Sequence, residues 1–97
     1  MSEVVLLPKA RNDLAKAARY LELEKTGLGG RLTDEVQDAL ERLSANPNVG
    51  AEVAPGVRKL LVRRFPYSLI YRIIPEYVLV LAVVHHRRHP RRWQGRL

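Results

Sequence analysis

The apolar positions in the first half of the chain repeat with the period of an α-helix. A short aliphatic strand is predicted over residues 4–7, and Pro8 after it suits the first position of a helix. Two apolar stripes follow with spacings of three and four residues, which predict two amphipathic helices. Their members are Ala10, Leu14, Ala17, Ala18 and Leu21, then Leu32, Val36, Ala39, Leu40 and Leu43. The glycine-rich residues 27–30 between them predict a flexible connection and an antiparallel helical hairpin.

The second half of the chain changes to the alternation of extended strands. Three strands are predicted over residues 57–62, 67–74 and 77–84, with a loop at residues 51–56 before them. The last of these strands is apolar on both faces, so we expect something to cover its second face. The whole pattern predicts one α+β domain over residues 1–97, in the order β-α-α-β-β-β. In it an antiparallel sheet packs on the helical hairpin.

The basic residues are concentrated in the second half of the chain. The net charge is +7, and residues 57–97 contain ten Lys or Arg against one acid, Glu76. The tail, residues 85–97, holds five arginines and three histidines. This concentration predicts a polyanionic partner, either nucleic acid or an acidic protein segment, although a basic face can also be merely solvated.

Composition excludes several other classes of protein. The chain has no cysteine, which excludes a disulfide scaffold and a cysteine nucleophile. Its longest apolar run, residues 77–84, is too short for a membrane span, and we expect a cytoplasmic protein without a membrane partner. His85, His86 and His89 lie among arginines that would repel a metal ion, so we expect neither a metal nor another cofactor.

Two sequence stretches carry a family resemblance. FPYSLIY lies at residues 65–71, and AVVHHRRHPRRW at residues 82–93 contains an H-x-R-x-P-x-x-W pattern from His86 to Trp93. With the predicted element order, they make the chain similar to the RelE/ParE superfamily of type II toxins. The resemblance implies a toxin bound and silenced by a cognate acidic antitoxin in a hetero-oligomer.

The resemblance leaves open which target the toxin attacks. Ribosome-dependent nucleases of the superfamily carry an arginine where this chain has Ser68, and a terminal Tyr or His where it has Trp93. If the chain is such an mRNA endoribonuclease, the remaining catalytic candidates are Lys59, Arg63, His85, His86 and Arg87. The two replacements favour the ParE branch, which implies growth inhibition through DNA gyrase. A third alternative is a non-toxic relative that binds nucleic acid.

Candidate residues for binding a target or the antitoxin are the cations and aromatics of the second half. They are Arg58, Arg63, Arg64, Tyr67, Tyr71, Arg87, Arg88, Arg91, Arg92 and Trp93. Tyr67 and Tyr71 could stack on a partner or pack across strands. Trp93 among arginines has the composition of an interface anchor, and its alternative is a position folded back onto the open face of the sheet.

Overall fold

The computed structural model describes all 97 residues as an α+β fold, which confirms the predicted class. The elements in chain order are β1 (Val4–Leu6), α1 (Pro8–Glu24), α2 (Leu28–Ala45), β2 (Ala51–Ala54), β3 (Val57–Leu61), β4 (Tyr67–Ile73) and β5 (Val78–His85). Two short 3₁₀ helices, Pro47–Val49 and Arg92–Arg96, precede β2 and follow β5. Neither α-helix combines the length and apolarity needed to cross a membrane.

The five strands form one mixed sheet in the order β1-β5-β4-β3-β2. β3, β4 and β5 pair antiparallel, as predicted, and β2 adds a further antiparallel strand beside β3. β1 pairs parallel with β5 through Val4 opposite Val78. The sequence did not indicate where β1 would pair. Its parallel position covers part of the outer edge of β5, the strand that is apolar on both faces.

β2 corrects the prediction of a loop at residues 51–56. Ala51 to Ala54 pair antiparallel with β3, and the two strands are joined at Gly56, whose φ of 72° favours glycine. β2 is an exposed edge strand, with Val53 44% accessible. Because it is hardly buried, it lacks the alternation of apolar and polar residues that identified the other strands.

The hairpin connection is tighter than the flexible link predicted for residues 27–30. α2 already begins at Leu28, and Gly27 before it has a φ of 94°. The Glu22 carboxylate, on α1, accepts hydrogen bonds from the Gly27 N–H at 2.9 Å and the Gly29 N–H at 3.0 Å. A Cβ at Gly29 would lie 2.5 Å from the Ala18 carbonyl oxygen. These contacts cap the orphan amides of α2 and lock the two helices together.

The core lies between the helical hairpin and one face of the sheet. It combines the apolar stripes of both helices with inward side chains of β3 to β5, including Tyr67, Leu69 and Tyr71. A smaller cluster forms on the other face of the sheet, which we call the second face. It consists of Val57, Ile70, Leu81, Ala82, Val84 and Trp93. The tail therefore supplies the cover that the apolar β5 was predicted to need.

Candidate partner-binding site

The C-terminal tail is fastened to the body of the protein by one buried carboxylate. Asp13 on α1 is 5% exposed and accepts hydrogen bonds from Arg92 Nη1 at 3.1 Å and from Arg96 Nη1 at 2.6 Å. It also accepts the Val83 backbone N–H at 3.1 Å, and Arg96 donates to the Leu81 carbonyl at 3.0 Å. These bonds satisfy backbone groups of β5 beyond the end of β1, so Asp13 and the tail residue Arg96 together protect the sheet edge.

Trp93 is held against the second face by this attachment. Its side chain packs in the cluster with Val57, Ile70 and Val84 and is only 8% exposed. This is the folded-back position that the sequence left as the alternative to an exposed anchor. We therefore treat Trp93 as a packing residue, because a side chain this buried offers little area to a partner.

A groove of about 180 Å³ remains open on the second face beside Trp93. Its lining is mainly apolar, with one lysine and one histidine, and consists of Val53, Lys59, Ile70, Val84, His86, Pro90 and Trp93. Val53 is 44% exposed, and Leu61, two residues beyond Lys59 on β3, is 55% exposed. This surface thus combines accessible aliphatic side chains with positive charge. We call the seven lining residues together with Leu61 the second-face groove.

Ser68 and His86 form a polar contact on this face. The Ser68 hydroxyl is fully buried, and its oxygen lies 2.8 Å from His86 Nε2. By its resemblance in sequence, Ser68 is expected to take the position where related nucleases carry an arginine. Because it is inaccessible and already has a partner, it can contribute neither charge nor a nucleophile to the groove.

His85 lies on the opposite side of β5 from His86. Its ring meets the core residue Tyr67 edge-on, with the centroids 5.1 Å apart. Its Nδ1 accepts the backbone N–H groups of Arg87 and Arg88 at 3.0 and 3.2 Å, which leaves the proton of the neutral ring on Nε2. Partial burial, aided by the charges of Arg88, His86 and Arg87, lowers the pKa of His85 below its ordinary value.

The five nuclease candidates are therefore not assembled in one place. Lys59 and His86 share the second-face groove, whereas His85 faces the helices. Arg63 lies in the bend after β3, and its Nη1 is 3.4 Å from the Asp38 carboxylate of α2. Arg87 is exposed.

The binding candidates are also distributed over several surroundings. Arg58 donates to the Gly50 carbonyl at 2.7 Å, and Arg64 pairs with Glu35 of α2 at 2.7 Å. Arg91 is exposed, whereas Arg92 is engaged by Asp13. Arg88 lies over the Tyr20 ring, with its Cζ 4.6 Å from the centroid.

Tyr71 is a core residue, and this corrects its selection as a possible stacking platform. It is fully buried, donates its hydroxyl proton to the Pro47 carbonyl at 2.7 Å and accepts the Gly50 N–H at 2.9 Å. Burial raises its pKa above the ordinary value of 10.0, and the Gly50 hydrogen bond and Arg58 partly oppose the shift. Tyr67 is likewise only 5% exposed, so neither ring presents a face to a partner.

Comparison with known proteins gives these features a family context. A family model described as the ParE toxin of the type II toxin-antitoxin system parDE matches residues 4–90. The chain belongs to the ParE toxin family. It is also 30% identical over 87 residues to Toxin RelE3 of Caulobacter vibrioides, an alignment that covers 88% of this chain and 95% of that protein. The protein is thus the toxin of a type II toxin-antitoxin pair, and the family implies an antitoxin partner.

The ParE fold is also found by structural comparison. The chain matches a chain of the chromosomal ParDE toxin-antitoxin system from P. aeruginosa with a TM-score of 0.77 at 21% identity. The match covers 88% of this chain and 96% of the other. At this identity the comparison supports the architecture alone.

Sequence reasoning did not identify Asp13 in this ParE toxin as a key residue. The signal was present, since Asp13 lies three residues after Ala10 and four before Ala17, inside the apolar stripe of α1. A carboxylate on a buried face needs a cationic or hydrogen-bonding partner. The arginines of the tail provide it.

Proposed function

We propose that this ParE toxin arrests growth by binding DNA gyrase rather than by cutting RNA, and that an acidic antitoxin neutralises it. The observation that carries the proposal is the composition of the second-face groove. Lys59 and His86 line it together with the accessible aliphatic side chain of Val53, above largely buried Ile70, Val84 and Trp93. An apolar floor with a basic margin suits a protein segment better than a reacting phosphodiester.

RNA cleavage by an attacking 2′-hydroxyl requires a base, an acid and cations around the developing charge. In the groove, Lys59 is the one lysine or arginine of the lining, and His86 is in contact with buried Ser68. Trp93 has no proton to exchange near neutral pH. The arrangement therefore supports binding more than catalysis.

The chemistry of the groove also suits the proposed antitoxin. Val53 and Leu61 offer aliphatic surface, while Lys59 and the neighbouring tail provide positive charge. A segment that alternates aliphatic and acidic residues would match both properties. Such a complex would weaken with added salt but persist, because burial of apolar surface is not screened.

Matched substitutions test the groove as the antitoxin site. Val53→Glu places a negative charge in the groove, and Val49→Glu places one outside the groove. The two valines are almost equally exposed, at 44% for Val53 and 43% for Val49. We expect Val53→Glu to weaken antitoxin binding about tenfold or more, since the added carboxylate would repel the acidic residues of the antitoxin and compete with them for Lys59. Val49→Glu should bind within about twofold of the parent. Equal losses in both variants would exclude the groove as the site.

A cellular experiment tests the mode of arrest. Lys59→Ala and His86→Ala should each weaken growth arrest by the antitoxin-free toxin by no more than about tenfold, as expected for the loss of one contact at a protein interface, with inhibited DNA supercoiling in the arrested cells. If the parent toxin cleaves mRNA and both variants lose about a hundredfold or more of that activity, Lys59 and His86 stabilise the transition state of RNA cleavage, and gyrase is rejected as the target.

The ribonuclease remains the second candidate because two of its candidate residues line one groove. Lys59 and His86 both line the second-face groove, so a cation and an imidazole are present on one surface. The two variants above separate this candidate from the gyrase inhibitor by opposite outcomes.

A further inference from the structure

A second cleft lies on the other side of the tail, between α1 and residues 85–92. It measures about 200 Å³ and is separate from the second-face groove. One wall is a stripe of α1 that includes Asp13, Lys16 and Tyr20, and the opposite wall includes His85, Arg88 and Arg92. Neither gyrase nor the antitoxin is proposed to bind in this cleft.

The two arginines that line this cleft are held in place by the fold, and a lysine of the lining is free of ion pairs. Arg88 lies over the Tyr20 ring, and its Nη2 is 3.4 Å from the Tyr67 hydroxyl, which leaves most of its five N–H donors unused. Arg92 is fixed by Asp13 at 3.1 Å. Lys16 forms none of the ion pairs of the chain, so its ammonium group is available. Donors that are already positioned lose little entropy when an anion binds.

The single acid in the cleft does not oppose an anion. The Asp13 side chain is 4% exposed, and both of its oxygens accept hydrogen bonds from arginines or from the Val83 N–H. Two arginines, Arg92 and Arg96, outweigh its one charge. With Lys16 and Arg88 added, the cleft carries a local excess of positive charge.

Two histidines add directional features to the cleft. Because His85 Nδ1 accepts two backbone N–H groups, its Nε2–H is an oriented donor in the neutral ring. His89, which also lines the cleft, has a φ of 52°, a left-handed conformation that is uncommon for a residue other than glycine. Strained backbone of this kind is concentrated at binding sites, where the surrounding structure maintains it.

We propose that the cleft between α1 and the tail binds a phosphate group, with Lys16 and Arg88 as its main ligands. The planar guanidinium of Arg88 can donate two hydrogen bonds to phosphate oxygens, and the ammonium group of Lys16 can add a further charged donor. The phosphate belongs either to a small phosphorylated molecule or to the backbone of a nucleic acid. This inference is independent of the proposed action on gyrase.

The test uses the purified full-length toxin and two probes at matched ionic strength. Pyrophosphate represents a small phosphorylated ligand, and a single-stranded DNA of eight nucleotides represents a backbone. NMR titration measures the dissociation constants and locates the perturbed amides. We expect either probe to shift the amides of Lys16, Tyr20, His85 and Arg88, and the tighter-binding probe identifies the source of the phosphate.

Two single substitutions on α1 decide whether the cleft is specific. Lys16 and Arg19 are both exposed on the same helix and each loses one positive charge on mutation to Ala, but only Lys16 lines the cleft. Lys16→Ala should weaken binding of the preferred probe about tenfold, and Arg19→Ala by less than about twofold. Equal losses in the two variants, an unchanged affinity in Lys16→Ala, or no binding of either probe would overturn the proposal. Melting temperatures of the variants confirm that the fold is retained.

Discussion

Replacing Asp13 with Asn would remove the charge that fastens the tail while keeping the size of the side chain. The carboxylate is 4% exposed, and its partners Arg92 and Arg96 are 35% and 10% exposed. The substitution leaves Arg96 largely buried without a counterion, and an amide cannot accept all the hydrogen bonds that two carboxylate oxygens accept. Breaking one partner of a buried pair costs about 3 to 5 kcal/mol. Since Arg92 remains partly hydrated, we expect a loss of about 3 kcal/mol in the free energy of unfolding.

The assay uses the single tryptophan of the chain as its reporter. Trp93 lies one residue after Arg92 and is 8% exposed in its place on the second face. If Asp13 fastens the tail, the Asp13→Asn variant should show red-shifted Trp93 fluorescence and greater quenching by iodide, even before denaturant is added. Denaturant unfolding in parallel gives the loss of stability.

Asp38→Asn is the control for a surface charge of the same kind. Asp38 pairs with Arg42 and Arg63, but its side chain is 44% exposed. Loss of this charge should therefore lower the free energy of unfolding by no more than about 1 kcal/mol and leave Trp93 fluorescence unchanged. An Asp13→Asn variant with parental fluorescence and an unfolding midpoint like that of Asp38→Asn would refute the role we assign to Asp13.

Three further predictions concern packing and titration. Gly29→Ala places a Cβ 2.5 Å from the Ala18 carbonyl oxygen and should destabilise the protein by about 1 to 3 kcal/mol, measured by thermal unfolding. Gly30→Ala has open space around its Cβ, so the same measurement should show no change or a stabilised α2. Tyr71→Phe removes both hydrogen bonds of a buried hydroxyl and should lower the free energy of unfolding by about 1 to 3 kcal/mol in urea, and a neutral result would contradict the role of that hydroxyl. His85 should titrate below 6.5 by NMR. Because His85 then binds a proton more readily in the unfolded chain, the contribution of neutral His85 to stability is complete above pH 6.5 and is lost as the pH falls toward the folded pKa. A measured pKa of His85 above 6.5 would contradict this.

The elements predicted from the sequence were those whose residues are buried on a regular period. Both helices and β3 to β5 have such a face, and the structure has them near the predicted bounds. β2 was missed because an exposed edge strand needs no apolar alternation. The first turn of α2 was read as a flexible link because its glycines are poor helix formers, yet Gly29 is there to allow the close approach of Ala18.

The candidate site was less predictable because it depends on side-chain partners distant in sequence. Arg92 and Trp93 had the composition of a binding segment, but the sequence alone could not pair Arg92 with Asp13, 79 residues away. In the same way, Lys59 and His86 were both predicted as candidates, and the fold alone placed them in one groove. His85 and His86 are adjacent in sequence yet face opposite sides of the sheet, as alternation along a strand requires.

Inhibition of DNA gyrase by the purified toxin tests most directly whether the protein acts on this enzyme. Relaxed plasmid, ATP and gyrase are incubated with increasing toxin, and supercoiled product is measured on a gel, with toxin pre-mixed with its antitoxin as the control. We predict that free toxin abolishes supercoiling in a dose-dependent manner and that the antitoxin restores it. Full supercoiling activity at a large molar excess of folded toxin, together with cleavage of mRNA on programmed ribosomes by the same preparation, would contradict the proposed function.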